Sequence, residues 1–400
     1  MALIQFTRHP PLKLRLARDL VRSIKRGHPW VFAEALRHLP PAAPGSPATL
    51  LDNKKGREIA RGFYDPTSPL ALRICTIESN ESLDEAWAQR RFELALTLRK
   101  SLFDQRTTAF RLFNGEGDGL PGLICDIYGD TAVIQLDGAG PKGFWNVHGI
   151  AEWVSERWRV RCVYEKYQTR EQGTGRLLIG PAPTEAVAFL EHNVRFSADV
   201  LNSQKTGFFL DHRENRQRLR SWAEGRRVLN VFGYTGGFSV YAGLGGATEV
   251  TTVDLAAPAL VMAEKHWRLN DLSTARHRTV TADAFEFLTK AVQRNESWDL
   301  VILDPPSFAS AKAVVPQAIK AYQTLIANGA AVTTPNGLLA AASCSSHINE
   351  AAFLNACEVG ISQARRRATL LGIYGQPPDH PTPLVFPEFR YLQFVLLRLA

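Results

Sequence analysis

Cys344 stands in Ser343-Cys344-Ser345-Ser346, directly after the apolar run GLLAAA. A thiol among small polar residues, where a strand gives way to a helix, has a route to a lowered pKa. A thiolate is a nucleophile that can add to C6 of a pyrimidine and make C5 enamine-like, able to take a methyl group from a sulfonium. Loss of the C5 proton then releases the thiol. The competing reading is a buried structural thiol. A second apolar run, WDLVIL, ends in Asp304-Pro305-Pro306-Ser307-Phe308. Two prolines stiffen that loop and leave carbonyls without local N–H partners. A carboxylate and a rigid carbonyl edge suit the amino group and ring nitrogen of a planar base, so Asp304, Pro305 and Pro306 are read as contacts to a target base. A plain strand-ending turn is the alternative. Amino-directed methylation of adenine or guanine would use the same loop and need no thiol, so Cys344 separates the two chemistries.

The cofactor candidates lie upstream. Asn230-Val-Phe-Gly-Tyr-Thr-Gly-Gly237 is a glycine-containing turn between a strand and a helix. It lets backbone approach a ligand and presents free N–H groups. Its spacing is not GxGxxG, with Tyr234 and Thr235 inside the loop, which disfavours a dinucleotide pyrophosphate and a nicotinamide oxidoreductase. An adenosylmethionine carries no phosphate and tolerates a looser turn. Asp254 ends the next strand, where an acid can accept both ribose hydroxyls. Asp283 ends the third and is placed for the adenine amino group. Either acid could instead cap the following helix.

These residues need a sheet with its ligand edge at the carboxyl ends of the strands. From about Leu201 the chain alternates: RRVLNVF, TEVTTVD, TVTAD, WDLVILD and GLLAAASC, each followed by a helical segment. That order predicts a parallel sheet covered on both faces. The last apolar segment, RYLQFVLLRL, predicts a closing strand of the antiparallel kind found in methyltransferases. Upstream, short β-like pieces around the loop Pro40–Pro47 predict a small β-barrel. Helices are expected over Leu83–Phe103 and Phe144–Trp158, flanking the hairpin-like RLFNGEGDGLPGLICDIYGDTAVIQL.

Four hundred residues, 45% hydrophobic and 22% charged, make a globular chain of two or three domains. No apolar run reaches the about 18 residues a membrane span needs, and the N-terminus makes a poor signal peptide, so a cytoplasmic location is expected. Five scattered cysteines without CxxC spacing exclude a disulfide framework, and no metal is expected. The net charge of +8, concentrated in KLRLARDLVRSIKRGH, QRRFELALTLRK and HRENRQRLR, is consistent with a phosphate-rich partner.

Taken together, Lys25–Phe32 (KRGHPWVF), Asp118–Asp126 (DGLPGLICD), Gln204–Arg213 (QKTGFFLDHR), Asn230–Gly237, Asp304–Phe308 and Ser343–Ser345 resemble the family that makes 5-methylcytosine in 23S ribosomal RNA. The ending Asp379-His380-Pro381 with Phe386-Pro387-Glu388 also fits, so the resemblance runs along nearly the whole chain. It implies a PUA-like RNA-binding domain over 1–76, a central α/β domain over 77–199 and a class I Rossmann-like methyltransferase domain over 200–400. It implies S-adenosylmethionine as cofactor, held by Gln204, Thr206, Phe209 and Arg213 beside Asn230, Phe232, Gly233, Tyr234, Thr235, Asp254, Asp283 and Asp304. Cys344 would be the nucleophile, with Asp304 beside it. The partner would be large-subunit ribosomal RNA, met in the first domain by Arg22, Lys25, Arg26 and His28; no membrane partner is expected, and a homodimer is carried as the assembly. Many related enzymes have a second cysteine in the fourth-strand loop. Ser307 stands there instead, which fits a single-cysteine subgroup and leaves the base for the C5 proton unnamed; His347 is read as a surface or capping residue. Amino-group methylation of guanine or adenine, and an inactive RNA-binding protein on the same fold, are the alternatives.

Overall fold

The computed structural model describes residues 2–5, 10–167, 174–202, 206–309 and 311–400. Contacts divide the chain into two compact units: Met1–Asn193 with Ser197–Leu210 and Pro378–Phe389, and Val194–Phe196 with Asp211–Pro377 and Arg390–Ala400. Among the described residues no helix is long and apolar enough to cross a membrane.

The first unit begins with β1 (Leu12–Arg15), α1 (Val21–Lys25), β2 (Trp30–Val31), β3 (Ser46–Leu51), β4 (Glu58–Tyr64) and β5 (Leu72–Thr76). The strands form one sheet in the order β1-β3-β4-β5-β2 over a core that includes Leu14, Leu50, Ile59 and Leu72. The expected loop over Pro40–Pro47 ends early, because Ser46 and Pro47 already pair with Tyr64 and Phe63. Gly45 makes the turn at φ +87°, where a Cβ would lie 2.3 Å from the Gly143 carbonyl carbon.

Next come α2 (Glu85–Leu102), β6 (Ala109–Asn114), β7 (Leu123–Tyr128), β8 (Thr131–Leu136), α3 (Ala139–Phe144), α4 (Val147–Trp158), β9 (Cys162–Lys166) and β10 (Gly175–Ile179). Asp84 caps α2 by accepting the Trp87 N–H at 2.9 Å. The sheet runs β10-β9-β8-β7-β6, and the parallel pair β8–β9 is bridged by α3 and α4. The helix expected over Phe144–Trp158 is α4, which begins three residues later, at Val147. Trp145 is extended and buried, and Asn146 caps α4 by accepting the Gly149 N–H. The pair β11 (Val187–Glu191) and β12 (Val194–Ala198) follows.

The acids of DGLPGLICD are structural. Asp118 takes both ends of the fully buried Arg99 guanidinium at 2.6 and 2.8 Å, and Asp126 binds Arg111 at 2.7 and 3.1 Å. Asp379 returns to the same unit from far along the chain. Its carbonyl accepts from Arg99 and its carboxylate accepts the Arg111 N–H.

The second unit holds α5 (Arg213–Arg220), β13 (Arg227–Val231), α6 (Gly237–Leu244), β14 (Glu249–Asp254), α7 (Ala257–Leu269), β15 (His277–Thr281), α8 (Ala284–Gln293), β16 (Trp298–Leu303), α9 (Val315–Ala331), β17 (Thr333–Ser343), α10 (Glu350–Gln363), β18 (Ala368–Tyr374) and β19 (Gln393–Leu399). Its seven-stranded sheet runs β15-β14-β13-β16-β17-β19-β18. The first five strands are parallel, and β19 is antiparallel to both neighbours, as the closing segment predicts. Strand β18 was not expected. Its exposed start, Ala368–Leu370, carries no alternation of buried and solvated positions to mark it as a strand.

Candidate active site

Five parallel strands bring Val231, Asp254, Thr281, Leu303 and Ser343 to one edge of the sheet, and Phe232–Thr235, Asp283, Asp304 and Cys344 follow in the segments just beyond it. In the loop after β13, Phe232 (φ 60°) and Tyr234 (φ 46°) are both left-handed. For bulky side chains that is costly, on the order of 1–3 kcal/mol each, and it persists only where surroundings enforce it. Enforcement comes from Asp254, whose Oδ2 accepts the Tyr234 N–H at 2.8 Å, and from the Gly233 N–H on the Val253 carbonyl at 2.9 Å. Gly233 must be glycine for space, since a Cβ would lie 2.4 Å from Thr252 Cγ2.

Asp254 Oδ1 accepts the Ala256 N–H at 2.8 Å. Each of its oxygens keeps a lone pair, the arrangement a vicinal diol requires. Leu255 follows, 71% exposed, an apolar surface beside that carboxylate. Sequence reasoning passed over it because a lone leucine after an acid carries no pattern.

Beneath the loop runs a buried polar chain. Asn230 Nδ2 donates to Ser239 Oγ (2.9 Å), which meets Thr252 Oγ1 (2.7 Å), which meets His277 Nε2 (2.8 Å). Burial holds the His277 imidazole down to about 4, so it is neutral at ordinary pH. Asn230 Oδ1 and Thr235 Oγ1 are buried without a protein partner. Buried polar atoms are normally satisfied. Two unsatisfied ones at this loop fit a ligand with amino and carboxylate groups, such as the amino-acid end of S-adenosylmethionine.

Asp283 caps α8, its Oδ1 accepting the Glu286 N–H at 3.0 Å, so the capping alternative is realised and only its other oxygen is uncommitted. Gln204 lies outside the described residues. Thr206 belongs to the first unit, where its buried hydroxyl donates to Asp126 at 2.5 Å and meets Tyr128 at 3.2 Å. The proton of that hydroxyl is committed to Asp126. Phe209 is half-buried in the same unit. Arg213 opens α5 fully buried, its Nε on Glu214 at 3.1 Å.

Asp304 and Cys344 come together. Cys344 is half-buried, and its Sγ lies 3.8 Å from the Pro305 carbonyl. Pro305 is buried and Pro306 exposed. Ser345 Oγ ties the two loops, 3.0 Å from Ser307 Oγ and 3.4 Å from both the Ala309 N–H and the Tyr322 hydroxyl. Burial pushes the Tyr322 phenol up to about 12, and its ring tilts against Phe308 at 4.8 Å. The other four thiols are buried, and burial raises each of them, Cys357 to about 12. Cys344 alone among them is within reach of solvent.

Asp304 has a partner that sequence reasoning did not name. His212 Nε2 stands 3.2 Å from Asp304 Oδ1, with the ring against Phe238 and Phe394. The motif QKTGFFLDHR contains the histidine, but only folding sets it beside β16.

In the first unit Arg22, Lys25 and Arg26 are exposed on and just after α1, and Lys25 Nζ donates to the Ile77 carbonyl at 3.0 Å. His28 is half-buried, edge-on to Phe386 at 5.1 Å. Its Nδ1 lies 3.2 Å from the Trp30 carbonyl oxygen. Among the described residues no group of three His, Cys, Asp or Glu side chains could hold a metal.

Residues 146–370 match the model of the S-adenosylmethionine-dependent methyltransferases. The chain belongs to that family. Residues 14–76 of this methyltransferase match a PUA-like domain. It is 38% identical to a ribosomal RNA large subunit methyltransferase from Deinococcus radiodurans, over 98% of each chain. It is 35% identical to ribosomal RNA large subunit methyltransferase I from Alteromonas mediterranea, over 95% of this chain and 96% of the other. Among solved structures it is similar to a protein from Streptococcus mutans described as a SAM-dependent methyltransferase (TM-score 0.83, 25% identity, 97% of this chain and 100% of the other). A methyltransferase solved in complex with SAH matches with TM-score 0.84 and 26% identity, over 97% and 100%. S-adenosylmethionine is therefore the methyl donor.

Proposed function

We propose that this methyltransferase makes 5-methylcytosine in large-subunit ribosomal RNA, with Cys344 as nucleophile and Asp304 at the target base. The substrate class rests on the relatives, whose names state large-subunit ribosomal RNA. The observation that carries the chemistry is a half-exposed thiol 3.8 Å from the carbonyl of the Asp304 loop. The cysteine thiolate forms a bond to C6, and the ring electron pair moves towards N3 and O2. Asp304, an acceptor, takes a hydrogen bond from the exocyclic amino group and so orients the ring for the attack. The bound cofactor supplies an electrophilic methyl group for C5. Loss of the C5 proton to a water molecule then restores the double bond as the sulfur–carbon bond breaks, returning the thiolate. Asp283, through its free oxygen, is proposed to accept from the adenine amino group, and Arg22, Lys25 and Arg26 to meet RNA phosphates.

The test is to incubate Cys344→Ala with labelled S-adenosylmethionine and ribosomal RNA and to identify the product by nucleoside mass spectrometry. Loss of 5-methylcytosine with cofactor binding retained is expected. Full yield from the variant, or a product methylated on an amino group, would overturn the cytosine reading.

A further inference from the structure

One face of α5 and the residue before it carries His212, Asn215 and Arg218, spaced three apart so that they form a row. Arg218 lies over the Tyr374 ring, 4.6 Å from its centroid, and its Nη1 donates to Asn215 Oδ1 at 3.4 Å. On the other side of the amide, Asn215 Nδ2 donates to the Gly375 carbonyl at 3.4 Å. An arginine can only donate and a carbonyl can only accept, so the orientation of the Asn215 amide follows from its two neighbours. Its nitrogen therefore faces His212 Nδ1, 3.3 Å away. A second N–H on Nδ1 would put donor against donor, so Nδ1 must carry the lone pair. The proton of the neutral ring then sits on Nε2, which faces Asp304 Oδ1 at 3.2 Å.

We infer that His212 is a positioning residue for Asp304: a neutral imidazole, fixed in its Nε2–H form by Asn215, that holds one carboxylate oxygen and leaves the other to the substrate base. The ring is buried, its side chain 5% exposed, and Phe238 and Phe394 pack against it at 5.3 and 6.0 Å. It therefore cannot swing away, and the Asp304 carboxylate gains a fixed direction. The role rests on the reading that Asp304 meets the target base, and is independent of which atom of that base is methylated.

The test compares His212→Gln, whose amide nitrogen reaches the place of Nε2, with His212→Asn, whose amide reaches only the place of Nδ1, and with His212→Phe. Methyl transfer to ribosomal RNA is measured with calorimetry of S-adenosylmethionine binding on each variant. The Asn and Phe variants should lose about tenfold to a hundredfold in kcat, as small misplacement of a reacting group does. The Gln variant should stay within about threefold of wild type, and all that fold should bind cofactor as wild type does. Nitrogen NMR of histidine-labelled protein should report His212 protonated on Nε2 alone. Equal losses in Gln and Asn, wild-type turnover in Asn, or a ring protonated on Nδ1 would overturn the role. Asp304→Ala is assayed alongside; wild-type turnover there sinks the reading of Asp304 itself, while the NMR result still judges the tautomer.

Discussion

Asp283 shows how one carboxylate can serve two purposes at the scale of a residue. Its Oδ1 holds the Glu286 N–H and begins α8, while Oδ2 is uncommitted. The two purposes separate by substitution. Asp283→Ser keeps a capping oxygen and Asp283→Ala removes it, so only the Ala variant should lose about 1 kcal/mol of stability in chemical denaturation. Both should weaken S-adenosylmethionine binding by roughly tenfold, the effect of one lost hydrogen bond to a charged acceptor. Undiminished affinity in the Ser variant would remove Asp283 from the cofactor site. Asp254 differs because both of its oxygens already anchor backbone N–H groups of the loops it organises, so its replacement would disturb the Tyr234 turn as well as any diol contact.

At the scale of the element, β13, β14 and β15 are joined under the glycine loop by Asn230, Ser239, Thr252 and His277 rather than by apolar packing alone. The imidazole stacks on Trp267 at 4.4 Å and titrates near 4 instead of its ordinary 6.5. Above about pH 6.5 the folded and unfolded chains both hold it neutral, so it contributes no pH dependence. Between 6.5 and about 4 only the unfolded chain takes up the proton, and stability falls as pH falls through that window. The gap corresponds to about 3 kcal/mol in all. Urea denaturation at pH 7 and pH 4.5 should show this loss in wild type and a smaller one in His277→Gln. An unchanged pH difference in the variant would assign the effect to other groups.

At the scale of the molecule, the first unit is held by buried ion pairs. Arg99 with Asp118 and Arg111 with Asp126 lie in its interior, and Asp379 closes the network from a segment some 250 residues further along the sequence than Asp126. The exposed cations sit elsewhere, on and after α1. Changing Arg22, Lys25 and Arg26 together to alanine should lower the slope of log affinity for ribosomal RNA against log salt by about 2 to 3, since each lost phosphate contact removes close to one from that slope. Cofactor affinity should not change. A slope equal to wild type in filter binding across a salt series would take α1 off the RNA.

Sequence alone determined the alternation of strands and helices, the junctions at which Asn230, Asp254, Asp283, Asp304 and Cys344 fall, and the antiparallel closing strand. Each follows from local hydrophobic pattern and from glycine, proline and acid placed where strands end. Tertiary structure decided the rest, because it depends on groups distant along the chain. Only folding sets His212 beside Asp304, brings Asp379 to Arg99, draws Thr206 into the Asp126 pair and turns His28 against Phe386. The start of α4 at Val147 also escaped the pattern, since the apolar residues before it keep helical spacing while the Asn146 cap begins the helix. Periodicity reports which face of an element is buried; a hydrogen-bond partner is chosen by three-dimensional proximity, which periodicity does not encode.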